Sequence, residues 1–362
     1  MKNYIISGIQ QMGVGVKNLH EAWQWYRKFF GVDVPIFEEE AEARLMLPYT
    51  GGKPRKRHAV LAMNMQSGGG FEIWQYKGRK PQEAKEEILA GDLGIFACKI
   101  KVKNIDQALS HYKKIGAELL GEPSKDPLER NTFFIRDPYN NIFQCVEASD
   151  WFLNEKKVSG GAYGAVIGVS DIEKSLKVYS DILGYDKLVY DKSGRFSDFE
   201  NLPGGDHTFR RVLLSQSKPF RGTFSRLFGD SVIELISVEG RTAGKIYEDR
   251  YWGDPGFIHL CYDVKGMDAL KEHCLREGFG FTVDSKASHD TKGFDMGEAA
   301  GHFAYIEDPD GTLIEFVETL KIPVLKKLGW YIDISKMHPE KNLPAWILRF
   351  MRYSRVKDKK EK

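Results

Sequence analysis

Hydrophobic and polar positions alternate along this chain in one order that recurs four times. In each case a strand-like run ends in a short polar step, and apolar residues at helical spacing follow, within 14–31, 100–116, 167–184 and 262–278. An Asn, Asp or Gly stands at the entry of each helical stretch and a Gly closes it, as is typical of helix ends. Several alternating or apolar runs then come before the next unit. The pattern predicts a strand–helix–strand–strand–strand unit, present four times.

Turn residues separate the runs that follow each helix. The segments 131–147 and 301–318 both consist of an apolar run, a turn sequence and a second apolar run. Their turns read Asp-Pro-Tyr-Asn-Asn and Asp-Pro-Asp-Gly, in which Pro presets φ and Asn or Gly accepts a positive φ. Both segments are therefore predicted to form β-hairpins.

Two longer stretches, 71–104 and 233–266, repeat each other closely. Their matched positions include Glu72 with Glu234, Arg79 with Arg241, and Asp92 with Asp254. At one position the copies differ in chemistry, because Ala97 of the first copy corresponds to His259 of the second. An imidazole in only one copy indicates that one half of the chain carries chemistry and the other carries structure.

Composition narrows the class of protein. At 362 residues, with 42% hydrophobic and 29% charged residues, the chain is long enough for two or three domains of an ordinary soluble globular protein. No apolar run approaches the ~20 residues that span a bilayer, and the first residues do not resemble a signal peptide. The four cysteines show no CxxC spacing. Buried free thiols in a reducing, cytoplasmic environment are the expectation.

Charge is distributed unevenly. The net charge of +2 gives no reason to expect a nucleic-acid partner. Residues 321–362, however, contain twelve Lys and Arg against four Asp and Glu. We expect this basic C-terminal extension to contain a helix whose apolar stripe packs on the preceding domain. Contact of the same stretch with an anionic membrane surface is an alternative.

Four such units resemble the modules of the vicinal oxygen chelate superfamily, which includes glyoxalase I, methylmalonyl-CoA epimerase, bleomycin and fosfomycin resistance proteins, and extradiol dioxygenases. The resemblance is carried by a helix-entry motif, seen here as VSDIEKSLKVY at 169–179, and by DPDGTLIE at 308–315. It covers about residues 7–320. It implies an α+β fold of four βαβββ modules, paired into two glyoxalase-like domains. The helical extension at 321–362 lies outside the resemblance.

In that superfamily a metal-bearing cleft forms between paired modules, with ligands from their first and last strands. The resemblance assigns the first-strand positions to Gln11, Ala97, Gly164 and His259, and the last-strand positions to Glu72, Gln144, Glu234 and Glu315. Within the four modules these positions are separated by 61, 47, 70 and 56 residues. The long–short alternation predicts that modules 1 and 2 pair in a domain at 7–150, and modules 3 and 4 in a domain at 160–320.

With that pairing the N-terminal cleft would hold Gln11, Glu72, Ala97 and Gln144. This set is poor for a divalent cation, so a structural role is expected for the first domain. The C-terminal cleft would hold Glu234, His259 and Glu315, while Gly164 offers no ligand. Two carboxylates and an imidazole suit one divalent ion of Zn, Mn, Fe, Co or Ni, with coordination positions left for substrate.

The resemblance leaves three functions open. A metal-dependent lyase or isomerase would act on a small oxygenated substrate through a metal-stabilised enolate, with Glu234 or Glu315 as general base. An extradiol-type dioxygenase is the second, because Tyr305 matches a catalytic Tyr of that branch. The first His of the dioxygenase ligand set, however, is replaced by Gly164. The third is a non-catalytic binder of small molecules, like the resistance proteins.

Further residues are candidates for substrate binding. Arg210 and Arg211 are adjacent on a predicted strand, so only one can face a cleft, where it would bind a carboxylate or phosphate. His302 leads directly into the strand that carries Tyr305. The expected partner is a small-molecule substrate, and the protein would work as a monomer or homodimer, because four modules can complete both clefts within one chain.

Overall fold

The computed structural model describes residues 3–286, 301–325 and 330–356. Modules 1 and 2 follow the predicted order. Module 1 consists of β1 (Ile5–Gly15), α1 (Leu19–Phe30), β2 (Val34–Glu42), β3 (Lys56–Met63) and β4 (Gly70–Tyr76). Module 2 consists of β5 (Gly94–Val102), α2 (Ile105–Lys114), β6 (Glu118–Leu119), β7 (Ser124–Lys125), β8 (Asn131–Arg136) and β9 (Ile142–Glu147).

Modules 3 and 4 repeat this order. Module 3 contains β10 (Ser159–Gly168), α3 (Ile172–Leu176) with a π-helical continuation (Lys177–Ile182), β11 (Lys187–Gly194), β12 (Thr208–Ser215), α4 (Ser225–Phe228) and β13 (Val232–Glu239). Module 4 contains β14 (Gly256–Lys265), α5 (Met267–Arg276), β15 (Val283–Asp284), β16 (Gly301–Glu307) and β17 (Leu313–Thr319). The four-module α+β fold is confirmed.

Local chemistry explains where the helices begin and where the hairpins turn. Asn18, Asn104 and Asp171 each cap a helix by accepting a hydrogen bond from a backbone N–H three residues later. Asn140 and Gly311 have positive φ values in the two Asp-Pro turns, as predicted.

The strands form two large sheets, and each sheet joins modules from opposite halves of the chain. The eight-stranded sheet has the order β15-β16-β17-β14-β1-β4-β3-β2, and the nine-stranded sheet contains the path β11-β12-β13-β10-β5-β9-β8-β6. Module 1 therefore pairs with module 4 through β1 and β14, and module 2 pairs with module 3 through β5 and β10. The expected pairing of modules 1 with 2 and 3 with 4 is wrong. The spacing that suggested it reflects loop lengths inside each module, which do not determine which first strands meet.

Modules that follow each other in sequence meet through their helices instead. Tyr26 on α1 donates a hydrogen bond to Asp137 in the Asp-Pro turn of module 2, at 2.7 Å. Tyr179 makes the equivalent bond to Asp308 of module 4, at 2.8 Å. All four side chains are buried, and a large apolar core containing residues of all four modules surrounds these helices. The Tyr and Asp of the recurring motifs thus join neighbouring modules.

The C-terminal extension forms a hairpin, β18 (Lys321–Leu325) and β19 (Trp330–Asp333), followed by α6 (Ala345–Phe350) and a 3₁₀ turn (Met351–Ser354). Ile347 and Leu348 are buried in a cluster with Leu61 and Met63. The helix therefore packs its apolar side on the protein as predicted, but the surface it covers includes the first module. All four cysteines are free and buried, also as predicted. Within the described residues, no helix is long and apolar enough to cross a membrane.

Candidate metal centre

Four ligand-position side chains converge on one face of the eight-stranded sheet. Gly13 on β1 lies opposite Glu72 of the parallel strand β4 and opposite His259 of the antiparallel strand β14. Glu315 on β17 lies beside Cys261, two residues after His259. The fourth is Gln11, two residues before Gly13. A Cβ atom at Gly13 would stand 2.4 Å from two atoms of the His259 ring, so only glycine leaves room for the imidazole.

The donor atoms of these side chains lie at distances suited to a shared cation. His259 Nε2 is 3.1 Å from Glu315 Oε2 and 3.4 Å from Glu72 Oε2. Gln11 Nε2 is 3.2 Å from each of the same two oxygens. Metal–ligand bonds of about 2.0–2.2 Å place neighbouring ligands about 3.0–3.6 Å apart. The four side chains therefore fit one small divalent ion with little movement.

Unsatisfied polar atoms point to the same conclusion. Among the described residues, Gln11 Oε1 is buried and has no hydrogen-bond partner, and buried His259 Nε2 makes no well-aligned hydrogen bond although both carboxylates are near it. Such atoms are rare, because burial without a partner costs about 1–3 kcal/mol. Rotating the Gln11 amide would place Oε1 beside the two carboxylates, an arrangement that a cation between them would stabilise.

Charges in the site are unbalanced without a cation. Burial by itself lowers the pKa of His259, but the Glu315 and Glu72 carboxylates outweigh burial and raise this pKa to about 9. For Glu315, burial acts in the raising direction, and the contact with His259 brings its pKa below the ordinary value. One imidazolium thus faces two carboxylates. A divalent ion with a neutral imidazole would leave the group uncharged.

Aromatic side chains position the imidazole. Tyr305 Oη lies 3.4 Å from His259 Nδ1, and the Trp252 ring is nearly parallel to the imidazole, at 6.1 Å between centroids. If Nδ1–H donates to Tyr305, the lone pair of Nε2 is directed at the carboxylates, as a metal ligand requires. Burial, reinforced by Glu315 and Glu72, raises the Tyr305 pKa well above its ordinary value, so the phenol stays protonated.

Glu234 lies in the other sheet and does not join this group. Its carboxylate is 2.7 Å from both Lys99 Nζ and Arg211 Nε. The expectation that Glu234 shares a site with His259 and Glu315 is therefore wrong. It followed from the wrong pairing of modules, since β13 belongs to the nine-stranded sheet. Glu72, which we had assigned to a structural cleft, takes its place.

Lys99 occupies the second cleft as an internal cation. Its ammonium group contacts both Gln144 and Glu234. Although burial favours the neutral acid, Arg211 and Lys99 lower the pKa of Glu234 to about 2. Tyr190 donates a further hydrogen bond to the same carboxylate, at 2.5 Å. These partners leave the second cleft neutralised by the protein itself.

The expected substrate-binding residues do not line the His259 site. Arg211 faces the second cleft, where Asp198 and Glu234 pair with it, and Arg210 binds Asp191 and Glu173 on the opposite face of the strand. Only Arg211 of the two arginines faces a cleft, and this is the cleft of the nine-stranded sheet. His302 Nε2 is 2.7 Å from Asp284 Oδ1. It lies three residues from Tyr305 on the same strand and therefore points to the other face of the sheet.

Comparison with protein families gives two matches to models described as the glyoxalase/bleomycin resistance protein/dioxygenase superfamily. One matches residues 8–145 and the other residues 165–297. A search of curated protein sequences found no match.

Solved structures with the same fold include glyoxalase I from Zea mays. A single-residue variant of that enzyme shares 14% identity and a TM-score of 0.54, over 88% of this chain and 94% of that chain. A second structure of the maize enzyme gives 13% and 0.53, over 86% and 92%. A candidate dioxygenase from Bacillus subtilis gives 14% and 0.53, over 87% and 86%. At these identities the likeness shows a shared fold.

Proposed function

Because this chain belongs to the glyoxalase/bleomycin resistance protein/dioxygenase superfamily, we propose that it is a metal-dependent lyase or isomerase acting on a small oxygenated substrate. The ion would be held by Gln11, Glu72, His259 and Glu315. The observation that carries the proposal is their convergence in a buried group, with side-chain nitrogen atoms of His259 and Gln11 3.1–3.4 Å from the same two carboxylate oxygens. Imidazole, amide and carboxylate donors suit Zn, Mn, Fe, Co or Ni alike.

A divalent ion bound there would act as a Lewis acid on a substrate oxygen and so make a neighbouring C–H bond more acidic. The protein must then supply a base for the proton. Glu315 has the closer contact with His259, 3.1 Å against 3.4 Å for Glu72. Glu72 is therefore the freer carboxylate, and we assign it the role of general base. Returning the proton to an adjacent carbon would complete an isomerisation.

Space for a substrate lies next to this group. A cavity of about 380 Å³ is lined by Trp252 and by Leu313, which is two residues before Glu315 on the same face of β17. Tyr49 and Tyr247 contribute further aromatic surface. Trp252 both lines the cavity and lies nearly parallel to the His259 ring, so the cavity comes close to the candidate ligands. This arrangement supports a small, partly apolar substrate with oxygen atoms at one end.

The proposal is tested by the metal content of purified variants. His259→Ala and Glu72→Gln should lose most of the approximately one equivalent of divalent metal expected at this site in the wild type, measured by inductively coupled plasma mass spectrometry. The matched control is Glu234→Gln, the same change in the other cleft, which should retain this metal in its folded fraction. Loss of metal from Glu234→Gln and its retention in Glu72→Gln would contradict the assignment.

Reaction chemistry separates the three functions. A lyase or isomerase should exchange deuterium from solvent into the carbon beside the carbonyl group of 2-oxo or 2-hydroxy carbonyl compounds, and Glu72→Gln should reduce this exchange at least tenfold. The dioxygenase alternative rests on Tyr305 beside His259, and it predicts oxygen uptake with catechols by Fe(II)-loaded protein. Tight binding of an unchanged ligand by metal-free protein would instead indicate a binder.

A further inference from the structure

A second group of metal-binding side chains lies near the edge of the same sheet, on the face opposite the His259 site. It combines His20 in the first turn of α1, Glu38 on β2 and His58 on β3. The geometry points to a second divalent-metal site formed by these three residues, independent of the proposed function.

Distances support a shared ion. Glu38 Oε1 is 3.2 Å from His58 Nε2 and 3.7 Å from His20 Nε2, and the three donor atoms all lie within 4.8 Å of one another. A tetrahedral zinc site with bonds of about 2.0–2.2 Å has ligand atoms about 3.3–3.6 Å apart. The His20 side chain is 66% exposed and free to make the small adjustment that remains.

The surrounding strands hold two of the ligands in place. Glu40 and His58 are directly opposite each other on β2 and β3, so Glu38 is the diagonal neighbour of His58 on the same face. Glu40 Oε1 lies 3.9 Å from His58 Nδ1, and Lys77 binds Glu40 at 3.2 Å. Glu40 thus places a carboxylate on the Nδ1 side of His58, where a slightly shorter contact would form the orienting hydrogen bond that is common at zinc-bound histidines.

Two imidazoles and one carboxylate make a ligand set suited to Zn²⁺, with a fourth position open to water. An ion there would join the first turn of α1 to the β2–β3 hairpin. On its other face that hairpin carries Leu61, which lies directly opposite Glu72 of the first site. We therefore expect zinc to stabilise this edge of the sheet, because a ligand that binds only the folded state raises its stability.

The test is a zinc titration of the full-length protein at pH 7.5, with bound metal measured after equilibrium dialysis and unfolding followed by circular dichroism. To isolate the second site, the titration uses the His259→Ala background. This protein should bind one equivalent of zinc and unfold at a higher temperature with zinc than without it. Adding His20→Ala or His58→Ala should weaken zinc binding at least tenfold and remove the thermal shift. His20 is exposed, so its replacement leaves the core intact.

The control is His111→Ala, which removes a partly exposed histidine from α2. It should leave both the zinc stoichiometry and the thermal shift unchanged. Equal loss of zinc in the His111 and His20 variants would show binding to scattered imidazoles and would overturn the site, as would unchanged binding in His20→Ala. Absence of divalent metal from the His259 site of the wild type, with zinc still bound at His20, Glu38 and His58, would instead count against the proposed function.

Discussion

The two clefts differ most at one residue of the first strand, the residue paired with the last-strand ligand position. In the eight-stranded sheet Cys261 lies beside Glu315, whereas in the nine-stranded sheet Lys99 lies beside Gln144. The Lys99 ammonium reaches Glu234 at 2.7 Å and supplies the positive charge that a metal would otherwise bring. Lys99, together with the absence of ligands at Ala97 and Gly164, thus makes the second cleft a polar structural core, whereas the first cleft is a candidate metal site.

Acid stability should reveal the charged network of the second cleft. Glu234 has a pKa of about 2, below its ordinary value of 4.5, because Arg211 and Lys99 outweigh the effect of burial. A depressed pKa contributes stability above pH 4.5 that is lost as the pH falls towards 2. A shift of this size corresponds to about 3 kcal/mol.

We therefore expect urea unfolding of Glu234→Gln to show a flatter dependence on pH between 5 and 2 than the wild type. The variant should also be less stable at pH 7, since Lys99 and Arg211 lose their counter-charge. Glu173→Gln, which removes an exposed partner of Arg210, serves as the control. Identical pH dependence in wild type and Glu234→Gln would contradict the assigned charge state.

At the scale of elements, the repeated Gly-Arg and Gly-Asp motifs join the two halves of the chain. Arg79 of the first copy binds Asp254 of the second at 2.6 Å, and Arg241 of the second binds Asp92 of the first at 2.6 Å. Each Asp also accepts hydrogen bonds from backbone N–H groups of neighbouring loops. The repeat therefore marks a reciprocal contact. It holds the loop before β5 against module 3 and the loop before β14 against module 1.

Breaking either contact should be costly. Arg79→Ala and Arg241→Ala each leave a largely buried carboxylate without its charged partner, so we expect each to lower the free energy of unfolding by about 3 kcal/mol or more. The control is Lys85→Ala, because the Lys85–Asp249 pair is more than half exposed on both sides and should contribute little to stability. Denaturant titration measures all three. Equal effects for Arg79→Ala and Lys85→Ala would refute the structural role of the repeat.

At the scale of the whole molecule, each half of the chain contributes to both sheets. The candidate metal centre takes Gln11 and Glu72 from the first half, and His259 and Glu315 from the second. The connection between the halves passes through Asn154 and Lys156, which are exposed. The halves are held together by the β1–β14 and β5–β10 strand pairs as well as by this connection.

Cutting the connection should leave the protein assembled. We expect a chain with a protease site inserted after Lys156 to elute as one species after cleavage and to keep its metal, as measured by size-exclusion chromatography with metal analysis. After separation in denaturant and removal of the denaturant, neither fragment alone should rebind the metal of the His259 site. Metal in the isolated C-terminal fragment would contradict this prediction and support the pairing of modules 3 and 4 that the sequence suggests.

Much of this protein could be predicted from its sequence. Helix caps at Asn18, Asn104 and Asp171, the Asp-Pro turns and the four-fold repetition depend on residues close together in the chain. The residue types at the ligand positions could be identified as well, including His259 and Glu315. The sequence did not show whether the repeated Arg79 binds Asp92 of its own copy or Asp254 of the other.

Only the tertiary structure decided which modules meet. The first strands β1, β5, β10 and β14 have similar hydrophobic patterns. Any two of them could in principle pair with the same side chains facing the core. The choice depends on contacts between residues far apart in sequence, such as Arg79 with Asp254, and these contacts form only when the whole chain has folded. That choice brought Glu72 to His259 and Lys99 to Glu234. Local patterning thus determined the modules and their candidate ligands, whereas long-range packing determined which ligands share a site.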